Sequence, residues 1–306
     1  MTGVLGKAVQ GFLTVVVLVI AVFVLIRMLP GDPARAVAGE LASAQDVERV
    51  RQEMGLDQPL QVQLARYLQR LAQGDMGTSV RTFQPVSSVI MERIGRTLVL
   101  SAFAIALALL LAVFLATLAA RWPGSALDTS INVIAVLSYG TPVFWVALVA
   151  IDLFAVRLRW LPSGGQTSVE HLVLPTAVLA FFLMGPLAQL LRTSLSEVMS
   201  RDFIVMARAK GLTEWRVLLV HALRNAMLPT LAYLGTQAGL LFAGAAITES
   251  IFGWNGLGSL VVGAALSRDY ATLQGLLLVI GVGFVFINTG IELLYGVVDP
   301  GMRRRT

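Results

Sequence analysis

RTSLSEVMSRDFIVMARAKGLTEWRVLLVHALRNAMLP, residues 192–229, is a polar interval in a chain that is otherwise mostly apolar. Apolar residues recur every three or four positions in two of its segments, 195–206 and 215–222, which indicates two amphipathic helices. Gly211 lies between the segments, and a glycine there is typical of a helix end because it enters the left-handed region without a Cβ clash. Thr213 then offers a cap for the next helix. The interval predicts a helix–turn–helix with one apolar and one cationic face, held at a membrane surface.

Composition places the chain in a membrane. Of its 306 residues, 57% are hydrophobic and 13% are charged, whereas soluble domains carry about 25% charged residues. The net charge of +5 does not indicate nucleic acid, because the positive residues are divided among loops separated by membrane-length runs. The absence of cysteine excludes disulfides and thiolate chemistry.

Six uncharged runs are long enough to cross a bilayer, which takes about 20 helical residues. Because backbone amides in lipid must be satisfied internally, each run should be a helix, and the fold class is an all-α membrane protein with six transmembrane helices. The predicted spans are residues 8–26, 97–120, 129–151, 172–191, 226–248 and 271–291.

Basic residues predict the orientation, since loops rich in Lys and Arg stay in the cytoplasm. The 192–229 interval and the tail Arg303, Arg304 and Arg305 should be cytoplasmic, as should both termini. The 30–96 interval, with eight Arg and eight acidic residues, is then extracytoplasmic.

Three regions follow from this topology. Residues 1–29 hold the N-terminus and first span. Residues 30–96 form an extracytoplasmic segment, with short amphipathic helices predicted over 41–54 and 59–71. Residues 97–306 form a core of five spans, with a loop at 192–228.

Two strings in the polar interval, ARAKGL (207–212) and HALRNAMLP (221–229), resemble the cytoplasmic coupling loop of ABC-transporter permeases, most closely in the dipeptide/oligopeptide/nickel importer branch. The strings LPGDPA (29–34), MGLDQPL (54–60) and GDMGTS (74–79) resemble the same branch. Of the general Glu-Ala-Ala motif only Ala207 is kept. A basic amphipathic loop resting on lipid headgroups is the alternative interpretation.

The resemblance implies an ATPase-coupling segment and several partners. The partners are a second related permease, two ATP-binding subunits that hold ATP and Mg, and an extracytoplasmic binding protein. The chain has no G-x-x-x-x-G-K-[ST] phosphate loop, so it should bind no cofactor and hydrolyse no ATP itself. The implied coupling residues are Phe203, Met206, Ala207, Arg208, Ala209, Lys210 and Gly211.

Two further residue sets are candidates for cargo handling. The last predicted outside loop, residues 249–270, contains the string FGWNGLGSL (252–260), in which Phe252 and Trp254 suit an interfacial position. The candidate residues of this loop are Phe252, Gly253, Trp254, Asn255, Gly256 and Gly258. Polar residues within spans either line a water-filled path or bond between helices, and the sequence leaves both open. The candidates for the path are Asn132, Tyr139, Thr141, Gln189, Gln237 and Asn288.

Charged and histidine residues elsewhere predict no chemistry. Asp152 should pair with Arg157 or reach the interface, and Glu292 should do the same at the inner end of the last span. The two histidines, His171 and His221, fall on opposite faces in this topology, so no metal site is predicted.

The function implied is the transmembrane subunit of an ATP-driven importer that moves di- or oligopeptides by alternating access. Nickel chelates or glutathione are alternative cargoes in the same family. A channel or ion-coupled transporter, and more remotely a membrane enzyme, are the alternatives outside it.

Overall fold

The computed structural model of the protein describes residues 2–28, 31–39 and 41–298. Across these ranges the chain is helical, and its only β feature is an isolated bridge between Thr78 and Pro85. Two π-helical segments, Ile151–Arg157 and Val217–Ala222, continue α7 and α10. The α-helices are α1 (Thr2–Met28), α2 (Pro33–Ala38), α3 (Ala44–Glu53), α4 (Leu60–Ala72), α5 (Val86–Arg121), α6 (Ala126–Gly140), α7 (Val143–Ala150), α8 (Glu170–Met199), α9 (Asp202–Ala209), α10 (Glu214–Arg216), α11 (Leu223–Gly244), α12 (Ala246–Ile251), α13 (Leu257–Leu266) and α14 (Tyr270–Val298).

Five helical stretches are long and apolar enough to cross a membrane, and a bent pair brings the number to six when it is counted as one span. The five are Val9–Met28, Val86–Arg121, Glu170–Met199, Glu214–Gly239 and Tyr270–Gly290. The predicted spans correspond to these stretches and to the bent pair.

The third predicted span, 129–151, is not one straight helix. It is divided into α6 and α7, which meet at an angle of 106°. Thr141 at the break is extended, with φ −96° and ψ 138°, and Pro142 follows it. Proline has no amide hydrogen and disfavours helical geometry in the residue before it, which explains the break.

The central helix of the bundle is α8, which packs against α5, α6, α7 and α11. In the most apolar 18-residue part of α8, 61% of the residues are buried, compared with 22–39% in the corresponding parts of the other four membrane-length stretches. Ala104, Ala108 and Ala112 on α5 are fully buried against Leu183 and Leu187 of α8. Small residues at every fourth position let two helix backbones approach closely, so this stripe sets the α5–α8 contact.

Both short helices predicted before the second span are present, as α3 and α4. The Ser43 hydroxyl caps α3 by accepting from the Asp46 amide. Arg51 pairs with Asp32 at 2.6 Å, which links α3 to α2. Arg27 of α1 donates to Gln63 of α4 at 2.9 Å, so the segment is anchored on the first helix.

The two helices predicted in the polar interval are arranged differently from the expectation. The first is broken at Ser200 and Arg201, which separates α8 from α9. The second is not a separate loop helix, because α10 runs through the π-helical segment into α11 without interruption. Thr213 occupies the cap position of α10, but its side chain makes no capping hydrogen bond.

Candidate functional site

Functional candidates gather at the two ends of α5. The first, called here the α9 end, comprises residues 121–128 and 192–222. The second, the α13 end, comprises residues 86–97, 164–165 and 249–270. A cavity in the side of the bundle lies between α6, α8 and α11.

At the α9 end, Gly211 makes the turn that the sequence predicts. Its φ is +76°, in the left-handed region, and no atom lies within 4 Å of where a Cβ would stand. The Gly211 amide donates to the carbonyl oxygen of Arg208 at 2.9 Å, which closes α9. Glycine is therefore required here by backbone conformation and not by crowding.

The inner face of α9 is not the one that the periodicity predicts. Ile204 and Ala207 are buried against Leu191, Leu195 and Leu218, whereas Phe203 and Met206 are 40% and 62% exposed. The break at Ser200 resets the helical phase, so spacing counted from Leu195 does not carry over. Phe203, Val205 and Met206 leave an apolar surface without a partner within the described part of the chain.

Two ion pairs at this end were not predicted from the sequence. Arg208 donates to Glu214 at 2.8 and 3.2 Å across the Gly211 turn, and this hydrogen bonding raises the pKa of Arg208. Arg192 donates to Asp128 at 2.6 and 2.7 Å, and the Asp128 side chain is only 4% exposed. The capping pattern Ser125-x-x-Asp128 was the available signal, since the Ser125 hydroxyl accepts from the Asp128 amide.

The lateral cavity has a volume of about 770 Å³, which falls within the range of roughly 300–1,000 Å³ that is typical of ligand sites. Three of the six predicted path residues line it: Tyr139, Gln189 and Gln237. Sequence reasoning missed Tyr233, whose hydroxyl accepts from Gln237, and Thr193. The remaining lining is apolar, and none of the described lining residues is charged.

The other three predicted path residues do not line this cavity. Asn132 donates to Asp128 at 3.4 Å, Thr141 to the Leu137 carbonyl oxygen at 2.7 Å, and Asn288 to the Phe284 carbonyl oxygen at 3.0 Å. Each donates within its own helical turn, so these bonds fit neither of the two roles, path lining and bonding between helices, that the sequence left open.

At the α13 end, the interfacial position expected for Phe252 and Trp254 is wrong. They are 1% and 7% exposed. The Phe252 carbonyl oxygen accepts from the Gly165 amide at 2.8 Å, and the Trp254 indole donates to the Arg96 carbonyl oxygen at 3.1 Å. Of the predicted loop residues, Gly253 and Asn255 are exposed, whereas Gly256 and Gly258 are buried.

A fully buried carboxylate holds this loop to α5. Glu249 is 0% exposed, and it accepts from the Thr97 hydroxyl at 2.7 Å and from the Ser259 amide at 2.9 Å. The Thr97 oxygen in turn accepts from the Leu257 amide at 2.8 Å. Burial raises the pKa of Glu249, against the opposing effect of these donors.

Within residues 2–28, 31–39 and 41–298 no group of three or more His, Cys, Asp or Glu could hold a metal ion. Asp152 pairs with Arg157 at 2.7 Å, as expected. The Glu292 side chain and residues 303–305 lie outside what the structure describes.

An all-helical bundle of five or six membrane-length helices, with a neutral lateral cavity and a short helix-turn at one end, is the architecture of a multi-pass membrane protein. Residues 108–304 match the model of the binding-protein-dependent transport system inner membrane component family, and residues 1–101 match the model of the N-terminal region of such proteins. The chain belongs to this family and is the permease subunit of an ABC importer.

Curated relatives agree with this assignment. A Brucella abortus (strain 2308) protein with the provisional name of peptide transport system permease protein is 39% identical over 308 residues, covering 98% of each chain. The glutathione transport system permease protein of Salmonella typhimurium is 38% identical over 290 residues, covering 95% of each. Among solved structures, an amino acid ABC transporter with histidines aligns at TM-score 0.49 and 16% identity, over 72% of this chain and 95% of that one. The family places the chain in the inner membrane, in partnership with other transporter subunits.

Proposed function

We propose that this chain forms one half of the path through which an importer moves short peptides. The observation that carries the proposal is the 770 Å³ lateral cavity, whose polar groups are amides and hydroxyls of Tyr139, Gln189, Tyr233 and Gln237. Such groups pair with peptide bonds whatever the cargo side chains are. The names of the peptide and glutathione relatives support the same class, since glutathione is itself a small peptide.

A second, homologous permease would pack against this chain and complete the wall of the cavity. Of the two ATP-binding subunits, which hold ATP and Mg, one would dock below α9, where Phe203, Val205 and Met206 offer an exposed apolar surface. A binding protein would deliver cargo at the α13 end, over the 30–96 segment. Closure of the ATPases would then switch the path between inward and outward access.

This arrangement requires the α9 end to face the cytoplasm. Because the chain contains no cysteine, single cysteines at Ser200 and Gln84, both exposed, can be labelled selectively. In sealed cells an impermeant maleimide should label the Gln84 variant and not the Ser200 variant. Labelling of both from outside would refute the orientation.

The path is tested by transport in the assembled importer. Gln237→Leu removes a cavity amide, and loss of one neutral hydrogen bond, worth about 0.5–1.5 kcal/mol, should lower peptide uptake roughly 2- to 10-fold at low cargo concentration. Gln189→Leu should act in the same direction. Uptake of labelled di- and tripeptides into proteoliposomes, with loaded binding protein and ATP, measures the effect.

Thr141→Val is the matched control, because Thr141 was an equal candidate by sequence, lies outside the cavity and bonds only to its own helix. It should transport at the wild-type rate. Equal uptake by the Gln237→Leu, Gln189→Leu and wild-type importers would count against the cavity as the path.

A further inference from the structure

A second cavity lies at the α9 end, under the last turns of α5 and α8. Its volume is 370 Å³, and its lining includes Arg121, Arg192, Ser196, Arg208 and Glu214. It is separate from the lateral cavity, with which it shares no lining residue. The proposed transport path uses only the lateral cavity, so it assigns no function to this second cavity.

Three guanidinium groups line the cavity, and two of them use only some of their hydrogen-bond donors. Arg192 and Arg208 each bind a carboxylate through Nε and one terminal nitrogen, which leaves the other terminal nitrogen of each. Against these three cations stand two carboxylates, Asp128 and Glu214, so one positive charge is in excess.

Arg121 carries that excess. Its Nε is buried and has no hydrogen-bond acceptor among the described residues, although the charge of Arg121 also acts on Glu214. A buried donor without an acceptor is costly, and native structures usually satisfy it with water or an ion. Phosphoryl oxygens suit guanidinium donors best, because the planar fork donates two parallel hydrogen bonds to them.

Two half-exposed tryptophans lie beside the cavity, next in the chain to its lining residues Arg121 and Glu214. Trp122 and Trp215 meet edge to face, with ring centroids 6.0 Å apart, and both are 43% exposed. The Arg121 guanidinium carbon lies 5.3 Å from the centre of the Trp122 ring. Tryptophan is enriched at the membrane–water interface, where phospholipid phosphates lie.

We propose that this cavity binds a phosphoryl group, supplied by an anionic phospholipid headgroup or by free phosphate, with Arg121 as the principal donor. The ligand would bridge α5 through Arg121, α8 through Arg192 and α9 through Arg208. It would thereby join the exposed helix α9 to the spans, which goes beyond the proposed transport function.

The test is ligand binding by the full-length chain in neutral detergent, followed by native mass spectrometry during titration with short-chain phosphatidylglycerol. Arg121→Gln should weaken binding of one lipid about 10-fold, as expected for loss of a charge-assisted hydrogen bond. Arg216→Gln is the matched control, since Arg216 is exposed on the neighbouring turn and lies outside the cavity. It removes the same charge and should change the affinity less than about 2-fold.

Inorganic phosphate separates the two sources. Displacement of the lipid by low-millimolar phosphate would assign the site to the free ion, and resistance to phosphate would assign it to the lipid. Equal binding by wild type and Arg121→Gln, or no bound lipid or phosphate on the wild type, would overturn the proposal. If Arg121→Gln does not fold, Arg121→Lys keeps the charge and loses the guanidinium fork, and wild-type affinity in that variant would overturn it too.

Discussion

The two ends of α5 use glycine and carboxylate in opposite ways. At the α9 end, Gly211 stands in open space and is needed for its positive φ, and Glu214 forms an ion pair that is 40% exposed. At the α13 end, a Cβ on Gly258 would lie 2.5 Å from the Cα of Ala246, and Glu249 is fully buried. The chain around Gly211 turns in open space, whereas the chain around Gly258 is closely packed against α12.

This difference indicates that the chain around Gly211 can rearrange more easily than the chain around Gly258 and Glu249. Exposed ion pairs contribute little to stability and rearrange at low cost. A buried, fully bonded carboxylate is costly to disturb, because its donors lose their acceptor inside the protein. We therefore expect substitutions at the α13 end to affect folding, and substitutions at the α9 end to affect communication with partners.

The largest effect is expected for Gly258→Val. The added side chain would meet backbone atoms of Ala245 and Ala246, which cannot move aside without shifting α12. Overpacking of this kind costs about 1–3 kcal/mol or more, so the variant should show reduced membrane abundance and a lowered melting temperature. Fluorescence-detected size-exclusion chromatography of detergent extracts measures both.

The control for that variant is Gly39→Val, since no atom lies within 4 Å of the Cβ position of Gly39; unlike Gly258, Gly39 has a positive φ, at +97°, so its only expected cost is backbone strain. It should lose less folded protein than Gly258→Val. Equal losses of folded protein in the two variants would mean that close packing around Gly258 is not what makes its substitution destabilising.

An intermediate effect, dependent on pH, is expected for Glu249→Gln. Because burial raises the pKa of Glu249, the folded state holds its proton more tightly than the unfolded state does. Stability should therefore fall as pH rises from the ordinary Glu pKa, about 4.3, to the raised value, and level off above it. Melting curves across this window should show that slope in wild type and a weaker one in Glu249→Gln.

Glu92→Gln is the control for this prediction, since the Glu92 side chain is 66% exposed. Its melting curve should follow the wild-type pH profile. A Glu249→Gln profile superimposable on wild type would show that this carboxyl does not titrate between the folded and unfolded states.

The smallest effect on folding is expected for Gly211→Val. A β-branched residue in the left-handed region costs about 1–2 kcal/mol, and the membrane-length helices do not depend on the turn. The variant should insert normally, yet lose transport and the stimulation of ATPase activity by loaded binding protein, because α9 would be redirected.

Gly74→Val provides the comparison, with φ +78° against +76° for Gly211 and equally open surroundings. The backbone strain is the same, and only the position differs. Wild-type transport by Gly211→Val, or an equal loss of transport in the Gly211→Val and Gly74→Val variants, would show that Gly211 has no specific role in coupling to the ATPases.

Hydropathy was enough to predict the spans, because a bilayer requires long apolar helices whatever their packing. The Gly211 turn was likewise predictable, since its cause is local. The burial of Phe252 and Trp254 was not, because it depends on contacts with Arg96 and Gly165, far away in sequence. The Arg192–Asp128 pair was missed for the same reason, as its partners are 64 residues apart.

The uninterrupted helix from Glu214 to Gly239 has a mechanical consequence. Its 26 residues span about 39 Å at 1.5 Å per residue, and the π-helical segment Val217–Ala222 and Pro229 both lie within this length. Arg208 of α9 forms an ion pair with Glu214 at one end of this helix, and Gln237, which lines the lateral cavity, lies near the other end. If the helix tilted as one piece by about 10° about its Glu214 end, Gly239 would move sideways by about 7 Å. A small rotation at the α9 end of this helix would therefore become a larger displacement at the lateral cavity.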